Sequence, residues 1–145
     1  MIPEIDALFP RLAEEGYSET SERTPEYNCL AWAVGDMSAF WWPDSMGVGY
    51  WPESAPRDET AIAFVETFRM LGFEVCENAD PEPGFEKVAI YLDGAGHPKH
   101  AARQLPSGGW TSKLGKLEDI EHATLEALNG PLYGSAQVML KRKLP

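Results

Sequence analysis

Basic residues are scarce over the first 86 positions, where four Lys or Arg stand against 18 Asp or Glu, a net charge of −14. Residues 87–145 carry eight basic and five acidic side chains, so the 145-residue chain totals −11 at pH 7. This excess repels phosphate backbones and acidic lipid surfaces, and so argues against nucleic-acid or membrane-surface binding as the main role. Solubility is the plain reading of such a charge, and a basic or cationic partner the sharper one. Long apolar runs are missing too: none approaches the ~18 residues of a membrane span. The opening Met1-Ile2-Pro3-Glu4-Ile5-Asp6 lacks the basic and apolar segments of a secretory leader. A cytoplasmic location is the expectation, and with it reduced thiols. Cysteine is rare, with only Cys29 and Cys76, which excludes a disulfide scaffold. No Cys-x-x-Cys or His-x-x-x-His pair exists to anchor a metal, and His97 and His100 are close only within a turn. Glycine-rich phosphate loops are absent, so no nucleotide or other cofactor is implied.

What remains is an ordinary apolar fraction of 43% with 24% charged residues, enough for one domain over residues 1–145. Ile5, Leu8, Phe9 and Leu12 recur at helical spacing around Pro10, predicting a short, broken helix that ends near Gly16. Residues 17–28 read as a loop or a poor strand. Residues 29–35, Cys-Leu-Ala-Trp-Ala-Val-Gly, predict a small buried helix stopped by Gly35. Residues 36–57 hold Trp41, Trp42 and Trp51 among prolines, either a long loop pinned to the core by its rings or an aromatic wall beside a cleft. Ala61, Phe64, Phe68 and Leu71 form one stripe of a helix over 58–71. Phe73–Cys76, Val88–Leu92, His100–Leu105, Trp110–Lys113 and Ala136–Leu140 read as strands joined by Gly- and Pro-containing turns. Residues 118–129, with Ile120, Leu125 and Leu128 inward, predict a further helix closed by Gly130-Pro131. The plan is α+β: helices first, then an antiparallel sheet with one more helix and a last strand.

Two residues stand out chemically. Cys29 opens a small helix, where free N–H groups favour a thiolate and can hold an oxyanion; a buried structural cysteine is the plainer alternative. His100 follows a Gly-Pro turn at a strand start, where an imidazole can act as general base; a surface or core histidine is again the plainer alternative. His97 reads as exposed, and His122 as a partly buried helix histidine.

Taken in order, Tyr27-Asn28-Cys29-Leu30-Ala31-Trp32-Ala33, Phe85-Glu86-Lys87-Val88-Ala89-Ile90-Tyr91, His100-Ala101-Ala102-Arg103-Gln104-Leu105 and Gly108-Gly109-Trp110-Thr111-Ser112-Lys113 resemble the papain-like superfamily in its compact NlpC-type and CHAP amidase form. The same blocks resemble a family of small uncharacterised proteins. The resemblance spans about residues 27–115. It implies N-terminal helices packed on a small antiparallel sheet, Cys29 as nucleophile and His100 as base. The third position, which orients the imidazole and is usually His, Asn, Asp or Glu, falls to Ser112, or to Gln104 on the His100 face. A second register puts Lys87 at the histidine position and His100 at the third, leaving no base. Asn28, Trp32, Trp42 and Trp51 are the implied cleft residues, and Arg103 and Lys113 the cations for a substrate carboxylate.

Two functions follow. One is thiol hydrolysis of a peptide or amide: Cys29 attacks the carbonyl carbon, His100 takes its proton, and water resolves the thioester. The other is an inactive papain-like or immunity-type acidic module that binds a basic protein.

Overall fold

The computed structural model describes residues 2–21, 27–36, 39–114 and 117–144. The N-terminal helix is broken as predicted, into α1 (Pro3–Leu8) and α2 (Pro10–Glu15). Each begins on a proline, whose missing N–H costs nothing in a first turn. Chain order then runs β1 (Tyr17–Ser21), α3 (Cys29–Val34), α4 (Ala61–Met70), β2 (Glu74–Cys76), β3 (Phe85–Leu92), β4 (Pro98–Gln104), β5 (Trp110–Lys113), β6 (Asp119–His122), a 3-10 turn (Glu126–Leu128) and β7 (Ser135–Lys143). The seven strands form one sheet in the order β1-β6-β5-β4-β3-β7-β2, and every neighbouring pair is antiparallel.

Side chains alternate across this sheet, so each strand feeds two cores. Val88, Ile90, Leu92, Ala101 and Leu140 face Leu30, Ala31 and Ala33 of α3, Phe64 and Phe68 of α4, and Trp41 and Trp51. Ala89, Tyr91, Ala102, Trp110 and Ile120 face Ile5, Phe9 and Leu12 of α1 and α2, together with Leu125, Leu128 and Tyr133. Helical segments therefore cover both faces, a thicker arrangement than helices on a small sheet.

One expectation needs correction, and one open alternative is decided. The helix predicted over 118–129 is a strand, β6, followed by a single 3-10 turn. Its inward residues are Ile120 and His122, two apart, which is strand spacing; Leu125 and Leu128 reach the same core through the turn. Residues 17–21, read as loop or poor strand, form β1, which pairs with β6 from Tyr17↔His122 to Ser21↔Asp119. That strand is nearly all polar and exposed, so its state comes from a partner about a hundred residues away and not from its own pattern.

The α3 helix follows its local signals. Asn28 is its N-cap, with the side chain accepting from the Ala31 N–H, and Gly35 closes it in the left-handed region at φ 86°. Gly134 is required for another reason: a Cβ there would lie 2.0 Å from the Leu92 carbonyl oxygen. This close approach lets the chain turn into β7 beside the end of β3.

Candidate functional site

The N-terminus of α3 packs where β4 and β5 lie side by side. Those two strands are in register at Arg103↔Thr111 and Gln104↔Trp110. Further along, the Cys29 thiol meets the backbone of Ala101. Cys29 is buried. Burial pushes its pKa up to about 11, against the opposing pull of backbone hydrogen bonds at Ala101 and Leu30 and of the Lys113 ammonium. At neutral pH the sulfur is therefore a protonated thiol.

On the same face, Lys113 is buried, donates to the Leu117 carbonyl at 2.5 Å and lies over the Tyr27 ring, 5.6 Å from its centroid. Burial lowers the Lys113 pKa, while Asp119, Cys29 and Glu118 act to raise it. Tyr27 donates its hydroxyl to Asp119 Oδ2 at 2.6 Å, and Asp119 Oδ1 is buried with no hydrogen-bond partner among the described residues. A polar cluster of Tyr27, Cys29, Lys113 and Asp119 thus lies under α3.

His100 points into the core that holds Tyr91, Ala102 and Tyr133, and Cys29 acts electrostatically on that same Tyr133. Its ring stacks on Tyr133 (centroids 4.2 Å, planes 5° apart) and meets Tyr91 edge-on. Its Nε2 is 3.0 Å from Ser112 Oγ, which is in turn 2.8 Å from His122 Nε2. His122 Nδ1 lies 2.8 Å from the Thr124 carbonyl oxygen. The carbonyl only accepts, so Nδ1 of His122 carries the hydrogen and its Nε2 is bare in the neutral ring. Ser112 then donates to His122 and accepts from His100 Nε2–H. This leaves His100 Nδ1 unprotonated, and it is buried without a partner among the described residues. Burial, with His122 adding to it, holds the His100 pKa well below the ordinary histidine value; burial also lowers that of His122, against the Thr124 carbonyl.

The structure therefore brings His100 and Ser112 together, as the resemblance implies, and adds His122, which helical reading of residues 118–129 concealed. The two-residue alternation of Ile120 and His122 is the signal that finds it. Neither nitrogen of His100 is hydrogen-bonded to Cys29. Gln104 is on the same strand face as His100, but its Nε2 donates to the Ala79 carbonyl at 2.6 Å. Lys87, the residue of the second register, is buried and donates to the Asn78 carbonyl.

The remaining candidates have structural partners. Asn28 accepts from both Ala31 N–H and Trp41 N–H and donates to the Trp41 carbonyl at 2.6 Å, which ties the tryptophan-rich loop to the start of α3. Trp51 packs on Phe64 and donates Nε1–H to the Pro56 carbonyl. Trp42 is edge-on to Phe64 and donates to Glu59. These rings anchor the loop on the α4 side of the core. Trp32 carries the Arg103 guanidinium over its face at 5.2 Å. Two of the surface recesses bear on these residues. One, about 380 Å³, includes Arg103 and Gln104, and the other, about 330 Å³, includes His122; neither is lined by Cys29 or His100. Among the described residues no cluster of three or more His, Cys, Asp or Glu could hold a metal ion, and no helix is long and apolar enough to cross a membrane.

Fold and site together define an α+β protein with a seven-stranded antiparallel sheet, a buried cysteine at a helix start and a buried His-Ser-His chain. A family model described as Domain of unknown function (DUF7689) matches residues 18–141, and the chain belongs to that family. No curated protein and no solved structure matches the chain.

Proposed function

We propose that this chain is a papain-like, NlpC-type module without working thiol chemistry, whose acidic surface binds a basic protein partner. The likeness is supported by a helix opened by Cys29 that packs across β4 and β5, with His100 near the start of β4. The observation that carries the non-catalytic reading is that neither His100 nitrogen is hydrogen-bonded to the thiol: Nε2 serves Ser112, and Nδ1 has no partner among the described residues. A protonated, buried thiol with no base on it is a poor nucleophile. The basic partner is supported by exposure of the acidic side chains: Glu14, Glu15, Glu53, Asp58, Glu59, Glu66, Glu74 and Glu77 all face solvent.

A second reading is kept by one observation, the Lys113 ammonium and backbone N–H groups that act on Cys29. In it, the site opens, His100 leaves Ser112 and takes the thiol proton, and Cys29 attacks a peptide or amide carbonyl. The amine leaves with that proton, and water cleaves the thioester to release the acid and restore the thiol. Iodoacetamide labelling of the folded protein from pH 5 to 9, with peptide mapping, separates the two. Cys29 is expected to label more slowly than the half-exposed Cys76 across that range. Fast labelling of Cys29 with a midpoint well below the free-thiol ~8.5, abolished by His100→Ala, would overturn the binding-module reading. A partner found in cells should release as salt rises, since exposed charge pairs are screened.

A further inference from the structure

The arginines among the described residues divide into two groups. Arg11, Arg57, Arg69 and Arg142 each reach a carboxylate. Arg103, half-buried, reaches none among the described residues; its guanidinium lies on the Trp32 ring. Trp32 Nε1 is itself buried without a hydrogen-bond partner among the described residues. Arg103 also lines the 380 Å³ recess, whose walls are Pro81, Pro83, Phe85, Leu105 and Leu144. Two carboxylates border it, and both are neutralised: Glu82 by Lys141 at 2.9 Å, and Glu86 by Arg142. Lys87 Nζ is 3.8 Å from Glu82 as well. Lys87, Lys141 and Arg142 thus offset the two carboxylates, and Arg103 lines the recess itself.

We propose that this recess is a binding site for a carboxylate carried on an apolar body, with Arg103 as its anion-binding residue. A guanidinium offers a planar fork of donors matched to a carboxylate, and stacking on an indole face holds it in place without using those donors. The stacked, unpaired Arg103 is thereby preorganised, and the proline, phenylalanine and leucine walls supply apolar area for the remainder of the ligand. The site does not depend on the state of Cys29, and its test is separate from the labelling experiment.

The carboxylate can belong to a small aryl or alkyl acid or to a peptide C-terminus. Two probes distinguish them: 4-phenylbutyrate, and N-acetyl-prolyl-phenylalanine with a free C-terminus. Each is compared with its uncharged amide. Titrations followed by amide-proton NMR of the whole chain should show saturable shifts at Phe85, Gln104 and Leu105 with at least one acid, and binding at least about tenfold weaker with the matching amide. The tighter acid names the source. Arg103→Gln should abolish the shifts while the spectrum elsewhere and Tm stay as in the parent, and Arg103→Lys should retain part of the affinity. The proposal fails if neither acid gives a saturable shift up to ~10 mM. It fails equally if acid and amide bind alike, or if the shifts map away from the recess. The acid–amide comparison on the unaltered protein stands even if a variant does not fold.

Discussion

At the residue scale, Ser112 is the centre of the buried polar chain. It has one hydroxyl hydrogen, given to His122, and a lone pair that accepts from His100. Removing the hydroxyl strands a buried donor and a buried acceptor at once. Ser112→Ala should therefore lower stability by on the order of 3 kcal/mol, from unsatisfied-group costs of ~1–3 kcal/mol each. Urea unfolding measures this. On the proposed function the variant leaves Cys29 labelling of the native protein unchanged; a hydrolase in which Ser112 orients the base would show altered labelling. The same two histidines couple folding to pH. Burial depresses both pKa values in the native state. Below about pH 6.5 the unfolded chain binds protons that the native chain refuses, so stability falls as pH drops, by at most ~1.4 kcal/mol per pH unit for each histidine. The Tm of the parent should fall between pH 7.5 and about 5. His122→Gln, which removes one of the two groups, should flatten that fall; an equal slope in both would show that the histidines do not carry it.

At the scale of elements, Asn28 joins two segments that share no sequence pattern. Its side chain caps α3 and also pairs with both backbone groups of Trp41. Loss of a cap alone costs about 1 kcal/mol, and the Trp41 groups add unsatisfied backbone. Asn28→Ala should cost about 2 kcal/mol or more, and it should loosen the loop that holds Trp41 and Trp51. Red-shifted tryptophan emission in the native state, together with a lower urea midpoint, would show it. Asn28→Asp keeps the acceptor for the cap but loses the donor to the Trp41 carbonyl, so an intermediate loss is expected; no difference between Ala and Asp would show that the tie to Trp41 is idle. The β6 correction belongs to the same scale. Four residues, Asp119–His122, are too few for periodicity to separate helix from strand unless both Ile120 and His122 are taken as inward.

For the whole molecule, charge is the dominant feature. The net −11 is spread mostly on exposed side chains, and self-repulsion of this kind destabilises the compact state. Raising NaCl from ~20 to ~200 mM should therefore raise Tm by screening that repulsion. Surface ion pairs such as Arg11–Glu15 and Arg69–Glu66 are exposed and contribute little each. A fall in Tm over the same range would mean that attractive pairs outweigh the repulsion. The asymmetry matters as much as the total: residues 87–145 carry eight basic and five acidic side chains, and Arg103 of the recess belongs to that half.

Local grammar sufficed for the elements whose signals are adjacent in sequence. The proline-broken N-terminal helix, α3 between Asn28 and Gly35, the stripe of α4 and the apolar run of β3 all follow from short-range periodicity, caps and turn residues. The α+β class was legible for the same reason. Tertiary structure decided what depends on which face a strand presents and what it pairs with. It made Tyr17–Ser21 a strand by supplying β6 as partner. It set His100 beside Ser112 and His122, while Cys29 met the Ala101 backbone and Lys113 with no hydrogen bond to His100. Order along the chain gives the sequence of Cys29, His100 and Ser112, but a one-residue change of strand phase moves a side chain through the sheet. That phase is set by packing of the two cores, and no local pattern encodes it.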